Sequence, residues 1–66
     1  MMGKSVESDK VARILIVEDH EIMRQGLTML VEQEEDLCIC GEAEDAAGAL
    51  KAVEGLQPDV VVMDLS

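Results

Sequence analysis

The sequence predicts an α/β fold in which a parallel sheet is doubly wound by helices in the order βαβαβ. Three observations carry this prediction: three short apolar runs rich in β-branched residues, two stretches of helical period between them, and polar or turn residues at the junctions. Apolar runs that do not alternate with polar residues are typical of parallel strands covered on both faces. Right-handed crossover connections then place the helices against the sheet.

The N-terminal half of the chain is predicted to contain an arm, a strand and a helix. Residues 1–11 are polar and unpatterned, which predicts a flexible arm, and residues 13–17 form the first apolar strand. From Glu21 the apolar residues recur with the period of a helix, and Asp19 or His20 is expected to cap it. The inward face is expected to consist of Met23, Leu27, Leu30 and Val31.

The C-terminal half repeats the alternation. A short strand is predicted at residues 37–40 and is expected to stop at Gly41. Residues 45–54 have helical period, and Gly55 is well suited to end that helix. Residues 60–63 form a third apolar strand. The inward face of the second helix is expected to consist of Ala46, Leu50 and Val53.

Composition excludes several kinds of function. The chain has 66 residues, no aromatic side chain and a net charge of −10. This charge repels nucleic acid and anionic lipid, so the segment itself is expected to bind neither DNA nor a membrane. It contains no apolar run long enough for a membrane span and no secretory signal, which predicts a cytoplasmic location. The two cysteines, Cys38 and Cys40, are expected to be reduced apolar side chains rather than a disulfide or a zinc site.

Carboxylates close two of the three predicted strands. Glu18 and Asp19 follow the first strand, and Asp64 follows the third. Ligand sites of open α/β sheets lie beyond the carboxyl ends of the strands, so these acids are expected to converge if the strands are neighbours. No basic residue is predicted near them, and clustered oxygen donors favour Mg²⁺.

An acidic site with a divalent cation suits phosphoryl chemistry. Asp64 is the better candidate for a nucleophile that accepts a phosphoryl group, while Glu18 and Asp19 form a pair suited to hold the metal. Periodicity alone leaves a simpler interpretation open, in which these acids are only solvated loop residues or helix caps. His20 is expected to be a loop or capping residue rather than a ligand or a base.

Five short motifs follow one another along the chain. They are Arg-Ile-Leu-Ile-Val-Glu-Asp-His at 13–20, Arg-Gln-Gly-Leu at 24–27, Gly-Glu-Ala at 41–43, Ala-Leu at 49–50 and Pro-Asp-Val-Val-Val-Met-Asp-Leu at 58–65. Together they resemble the receiver domain of two-component response regulators. The histidine, the Arg-x-Gly-Leu and the Gly-Glu-Ala are similar to the NarL/FixJ subfamily in particular. The resemblance identifies residues 12–66 as the N-terminal half of a receiver domain.

The resemblance implies a fold, a chemistry and partners. The fold is flavodoxin-like (CheY-like), here limited to βαβαβ. Asp64 would accept a phosphoryl group from a sensor histidine kinase, as a step of phosphorelay signalling rather than of conventional enzyme catalysis. Mg²⁺ would be bound by Glu18, Asp19, Asp64 and the main-chain carbonyl of Ser66. Members of this subfamily regulate transcription through a separate helix-turn-helix domain, which this sequence does not contain.

The sequence departs from the family in two respects. Glu18 stands where the family often has Asp. The family's Thr or Ser after a fourth strand, Lys after a fifth and aromatic switch residue have no counterpart in these 66 residues, so phosphoryl transfer is expected to be slow. In the strand order 2-1-3-4-5, the strand at 60–63 would also keep an unpaired edge. The chain is therefore expected either to fold poorly or to associate through this edge, and an interaction fragment that is never phosphorylated is the alternative function.

Overall fold

The computed structural model describes residues 11–64. The arm predicted at residues 1–11, apart from Val11, and the carbonyl of Ser66 lie outside the described residues. Within residues 11–64, three strands and two helices alternate, which confirms the predicted βαβαβ order. They are β1 (Ala12–Glu18), α1 (Glu21–Glu32), β2 (Leu37–Ala43), α2 (Ala46–Leu56) and β3 (Val60–Asp64).

The three strands form one parallel sheet with the order β2-β1-β3. β1 is the central strand, and its residues 14–18 pair one for one with residues 60–64 of β3. Because the chain reverses its direction across the sheet after β2, right-handed crossovers place α1 and α2 on opposite faces. This is the doubly wound arrangement that the sequence predicts.

The second strand was expected to stop at Gly41, and this prediction is wrong. β2 continues through it to Ala43, and the register against β1 shifts by one residue between Ile14 and Leu15. A Cβ atom at position 41 would lie 2.5 Å from Cδ1 of Leu56. The glycine therefore lets the end of α2 pack closely on β2.

The core is built on β1. Leu15 and Val17 are fully buried and form a cluster with Ala43 and Ala49 beneath α2. Since side chains alternate along a strand, Ile16 and Glu18 point to the opposite face of the sheet, which α1 covers. Burial of apolar side chains is the main source of stability here, and most of it comes from a single strand.

The inward face of α2 differs from the predicted one. Leu50 is 67% exposed and Val53 is 38% exposed, whereas Ala49 is buried. Ala52 and Leu56 are half-buried and complete the inward face. Small side chains on this face let the helix axis approach the sheet. The helix also runs through Gly55, and Gln57 adopts the left-handed conformation at its C-cap, with φ of 50°.

The inward face of α1 also differs from the prediction. Met23 and Leu30 are 52% and 61% exposed. The half-buried side chains of this helix are Arg24, Leu27, Thr28 and Val31. The polar residues Arg24 and Thr28 thus lie on the face of α1 that was predicted to be apolar. Both side chains bond to Glu42 near the end of β2, and Arg24 also bonds to the main-chain carbonyl of Glu18.

Two further observations concern the described residues. Cys38 and Cys40 are half-buried in β2, and Cys40 packs against the cluster around Leu15. Among residues 11–64, no helix has the length and hydrophobicity that crossing a membrane requires.

Candidate functional site

An acidic cluster lies at the carboxyl end of β1 and consists of Glu18, Asp19 and His20. One ligating atom from each of the three side chains lies within 4.8 Å of the other two. Glu18 is only 2% exposed, whereas Asp19 and His20 are exposed. The cluster therefore has a buried carboxylate at its base and a second carboxylate that solvent reaches.

Hydrogen bonds within the cluster fix the turn from β1 into α1. Oε2 of Glu18 accepts a hydrogen bond of 3.0 Å from the backbone N–H of His20, and Nδ1 of the same residue lies 3.0 Å from that oxygen. Nδ1 also lies 3.0 Å from Oδ1 of Asp19. Of the two predicted caps, His20 occupies the N-cap position, although its side chain makes no capping bond to α1.

The carboxylates change the acidity of the imidazole. The hydrogen bond with Glu18, followed by the charge of Asp19, raises the pKa of His20 above its ordinary value of 6.5. Both carboxylates favour the charged imidazolium, because they are negative and close to Nδ1. The ring is exposed, so this preference acts through contacts with Glu18 and Asp19 rather than through burial.

Titration of His20 is expected to show this effect directly. Its pKa in the folded chain is expected to lie above its pKa in the urea-unfolded chain, and Glu18→Gln is expected to lower the folded value. Since the folded pKa is the higher one, the contribution to stability is fully present below pH 6.5 and is lost as the pH rises through the folded pKa. Proton NMR can follow the imidazole, because it belongs to the single histidine of the chain. Equal pKa values in the two states would contradict the prediction.

Asp64 lies on the strand next to this cluster. It is the register partner of Glu18 in the pairing of β1 with β3. Neighbouring strands lie about 4.8 Å apart, so the two backbones are side by side at the carboxyl edge of the sheet. The Asp64 side chain is exposed and does not belong to the group of ligating atoms formed by the acidic cluster. Of the predicted metal ligands, Glu18 and Asp19 are thus in one cluster and Asp64 is on the adjacent strand end.

Arg24 is a site residue that the sequence analysis missed. Its Nη1 donates a hydrogen bond of 2.7 Å to the main-chain carbonyl of Glu18, and its Nε donates one of 3.2 Å to Oε1 of Glu42. Arg24 therefore bonds to the main chain of Glu18 and pairs its charge with Glu42, on the neighbouring strand. The signal available in the sequence was the helical spacing of Arg24 with Leu27 and Val31, which places all three on one face of α1.

Glu42 and Arg24 also line an open groove beside the acidic cluster. Its volume is about 500 Å³, and its remaining lining residues are Ala43, Glu44, Asp45 and Gly48. The side chain of Asp45 accepts a hydrogen bond of 2.7 Å from the backbone N–H of Gly48 and thereby caps α2. Acidic side chains outnumber the single arginine here, so the carboxyl edge of the sheet is negative overall.

A doubly wound α/β sheet with acidic side chains at its carboxyl edge places the protein in a broad class with a ligand site at that edge. Comparison with known families narrows the class. Residues 14–66 match the family described as response regulator receiver domain, and the chain belongs to this family. The family resemblance drawn from the sequence motifs is thereby confirmed.

Individual relatives agree with this assignment. The chain is 42% identical over 53 residues to the transcriptional regulatory protein YdfI of Bacillus subtilis, which covers 80% of this chain and 25% of that protein. It is 30% identical over 61 residues to the nitrate/nitrite response regulator protein NarL of Escherichia coli K12, and this match covers 92% of this chain and 28% of NarL. The chain thus spans about a quarter of the length of these relatives.

A solved structure gives the same result at the level of the fold. It is a two-component response regulator of the LuxR family from Aurantimonas sp. SI85-9A1, with a TM-score of 0.80 and 41% sequence identity. The match covers 85% of this chain and 40% of that chain. The flavodoxin-like receiver architecture, limited here to βαβαβ, is therefore confirmed.

Proposed function

We propose that the chain is a phosphoacceptor module of a two-component system, in which Asp64 receives a phosphoryl group from a sensor histidine kinase. The observation that carries the proposal is the register of the sheet, which pairs Asp64 with Glu18 at the carboxyl edge. The relatives are named as transcriptional regulatory proteins, so the signal would regulate transcription, with DNA bound by another domain. The module would act in the cytoplasm, where neither DNA nor a membrane is bound by this negatively charged segment.

The residues at this edge fit a magnesium ion. Carboxylate oxygens are the preferred ligands of Mg²⁺, and they are supplied by the buried Glu18, the accessible Asp19 and the exposed Asp64. The main-chain carbonyl of Ser66 completes the proposed set. One oxygen of Glu18 and one of Asp19 contact the imidazole of His20, which supplies positive charge to them when it is protonated. A bound cation would take over this role. When bound, the ion would offset the negative charge of the carboxylates and of the incoming phosphoryl oxygens.

Asp64 is suited to the acceptor role by its position. It is the last residue of β3, its side chain is exposed, and a phosphoryl donor can approach it from solvent. In the proposed step a carboxylate oxygen of Asp64 forms a bond to phosphorus while the bond from phosphorus to the donor's histidine nitrogen breaks. The product is an acyl phosphate on Asp64, and the released histidine nitrogen of the donor takes up a proton from the solvent.

Phosphorylation by a small donor tests the proposal without knowledge of the kinase. Incubation of the chain with acetyl phosphate and Mg²⁺ is expected to add one phosphoryl group, which peptide mapping by mass spectrometry locates on Asp64. Treatment with base is expected to remove it, as for an acyl phosphate, and omission of Mg²⁺ is expected to prevent its formation. A phosphoryl group on another carboxylate, or none at all, would contradict the proposal.

A second candidate function is favoured by the free edge of β3. Within the described part of the chain, β3 pairs only with β1, and Val60, Val61 and Met63 are 46%, 40% and 54% exposed. An exposed apolar strand edge can pair with another chain through its main-chain groups. The module would then act as an interaction fragment that associates with a second copy or with a related regulator.

Sedimentation velocity on the same samples separates the two candidates. The interaction fragment predicts association that is unchanged when Mg²⁺ is removed or when Asp64 is changed to Asn. The phosphoacceptor module predicts that phosphorylation proceeds whether the chain is monomeric or associated. A chain that is monomeric at all concentrations and is phosphorylated on Asp64 would leave only the first candidate.

A further inference from the structure

We infer that Arg24 is a positioning residue, which holds the acidic end of β1 in place through the main-chain carbonyl of Glu18. The inference rests on the proposed function, because it concerns the same magnesium site. Arg24 bonds to the main-chain carbonyl of Glu18, so its effect passes through the backbone. Glu42, on the neighbouring strand, fixes the orientation of the guanidinium.

Arg24 links the start of α1 back to the end of β1. Its backbone N–H donates a hydrogen bond of 2.9 Å to the carbonyl of His20 at the start of α1. Its side chain returns to the carbonyl of Glu18, six residues earlier, at 2.7 Å. The turn that contains Asp19 is therefore held from α1 at both of its ends.

Glu42 in turn holds the side chain of Arg24 in place. Glu42 accepts a hydrogen bond from Nε of Arg24 at 3.2 Å through one carboxylate oxygen. Its other oxygen accepts one from Oγ1 of Thr28 at 3.4 Å. A single carboxylate on β2 thus binds two side chains from successive turns of α1. Since the side chain of Arg24 is only 18% exposed, its guanidinium has little freedom to adopt another orientation.

The carbonyl that Arg24 holds lies next to the proposed metal ligands. Glu18 is the last residue of β1, and the direction of its carbonyl fixes the peptide plane that leads to Asp19. Groups that orient the ligands of a metal ion without touching it change metal affinity by about 10- to 100-fold when they are removed. Loss of the Arg24 side chain is therefore expected to weaken Mg²⁺ binding by about tenfold.

The sign of this effect distinguishes positioning from electrostatics. Removal of a positive charge close to a cation site lowers repulsion and should strengthen Mg²⁺ binding. If Arg24 positions the ligands, Arg24→Ala weakens binding instead. Arg24→Lys keeps the charge but lacks the planar group that bonds two acceptors at once. A positioning role therefore predicts weaker Mg²⁺ binding for this variant, whereas a purely electrostatic role predicts no change in binding. Mg²⁺ titrations can be followed by the NMR signals of His20, which lies in the acidic cluster.

Two carboxylates of the same groove provide a matched pair of variants. Glu42→Ala and Glu44→Ala each remove one negative charge from its lining, but only Glu42→Ala also removes an acceptor of Arg24. Several-fold weaker Mg²⁺ binding is expected for Glu42→Ala and a much smaller change for Glu44→Ala. Equal changes in the two variants would assign the effect to charge alone and would overturn the inference. If Arg24→Ala loses its helical circular dichroism, Arg24→Lys and Glu42→Ala still decide the question.

A measurement without metal separates this inference from the proposed function. The backbone N–H of His20 donates to Glu18 within the turn, so its hydrogen exchange reports whether the turn is held. Arg24→Lys and Glu42→Ala are expected to accelerate this exchange in metal-free buffer, whereas Glu44→Ala is not. Unchanged exchange would refute the positioning role. Accelerated exchange in a chain that binds no Mg²⁺ would support the positioning role and reject the magnesium site.

Discussion

Replacement of Leu15 by alanine is expected to lower the free energy of unfolding by about 2 to 5 kcal/mol, the range found for truncation of buried leucines. Leu15 is 0% exposed and packs in the cluster that joins β1 to α2. Domains gain roughly 0.05 to 0.15 kcal/mol of stability per residue, so the loss is a large part of what a chain of this size has. A substantial fraction of Leu15→Ala molecules is therefore expected to be unfolded at room temperature.

A matched substitution on the surface controls for the change of residue type. Leu50 is 67% exposed on α2, so Leu50→Ala removes the same atoms from a position that buries little apolar surface. Alanine also favours helix formation slightly over leucine, and the expected change in unfolding free energy is close to zero. Urea denaturation followed by circular dichroism measures both variants. A large loss for Leu50→Ala would show that α2 presents the face that sequence periodicity predicts rather than the face seen in the structure.

The strands could be predicted because their signal is local. The residues of β1 are consecutive, apolar and β-branched, and a buried parallel strand requires little more than that. The acidic ends of β1 and β3 were visible for the same reason, since Glu18 and Asp64 end their apolar runs. Their placement in one register follows from the sheet order, which the family resemblance implied and the structure confirms.

The helix faces could not be read in the same way. α2 packs through small side chains such as Ala49, whereas a search for apolar period selects the larger Leu50 and Val53. Close approach of a helix to a sheet depends on the absence of bulk, and hydrophobicity does not measure bulk. The role of Arg24 was hidden for another reason. One of its acceptors is a main-chain carbonyl, which every residue has, and the other is Glu42 on a strand that only tertiary pairing brings near.

Asp64→Asn is expected to abolish phosphorylation of the chain by acetyl phosphate. The amide has no carboxylate oxygen with which to form the acyl phosphate, although it occupies nearly the same space. Asp64 is exposed at the end of β3, so the substitution is not expected to change the stability of the fold. The measurement is the rate of phosphoryl incorporation by mass spectrometry, with the fold checked by circular dichroism.

Asp59→Asn is the matched control for this prediction, because Asp59 immediately precedes the same strand at its opposite end. Oδ2 of Asp59 accepts a hydrogen bond of 2.8 Å from the backbone N–H of Arg13, and the asparagine oxygen can still accept it. The control is therefore expected to be phosphorylated at the rate of the unchanged chain. Mg²⁺ binding should decrease only in part in Asp64→Asn, since Glu18 and Asp19 remain in their cluster. If Asp64→Asn incorporates phosphate as fast as Asp59→Asn, the acceptor is another carboxylate. The pairing of Asp64 with Glu18 would then not mark the phosphorylation site.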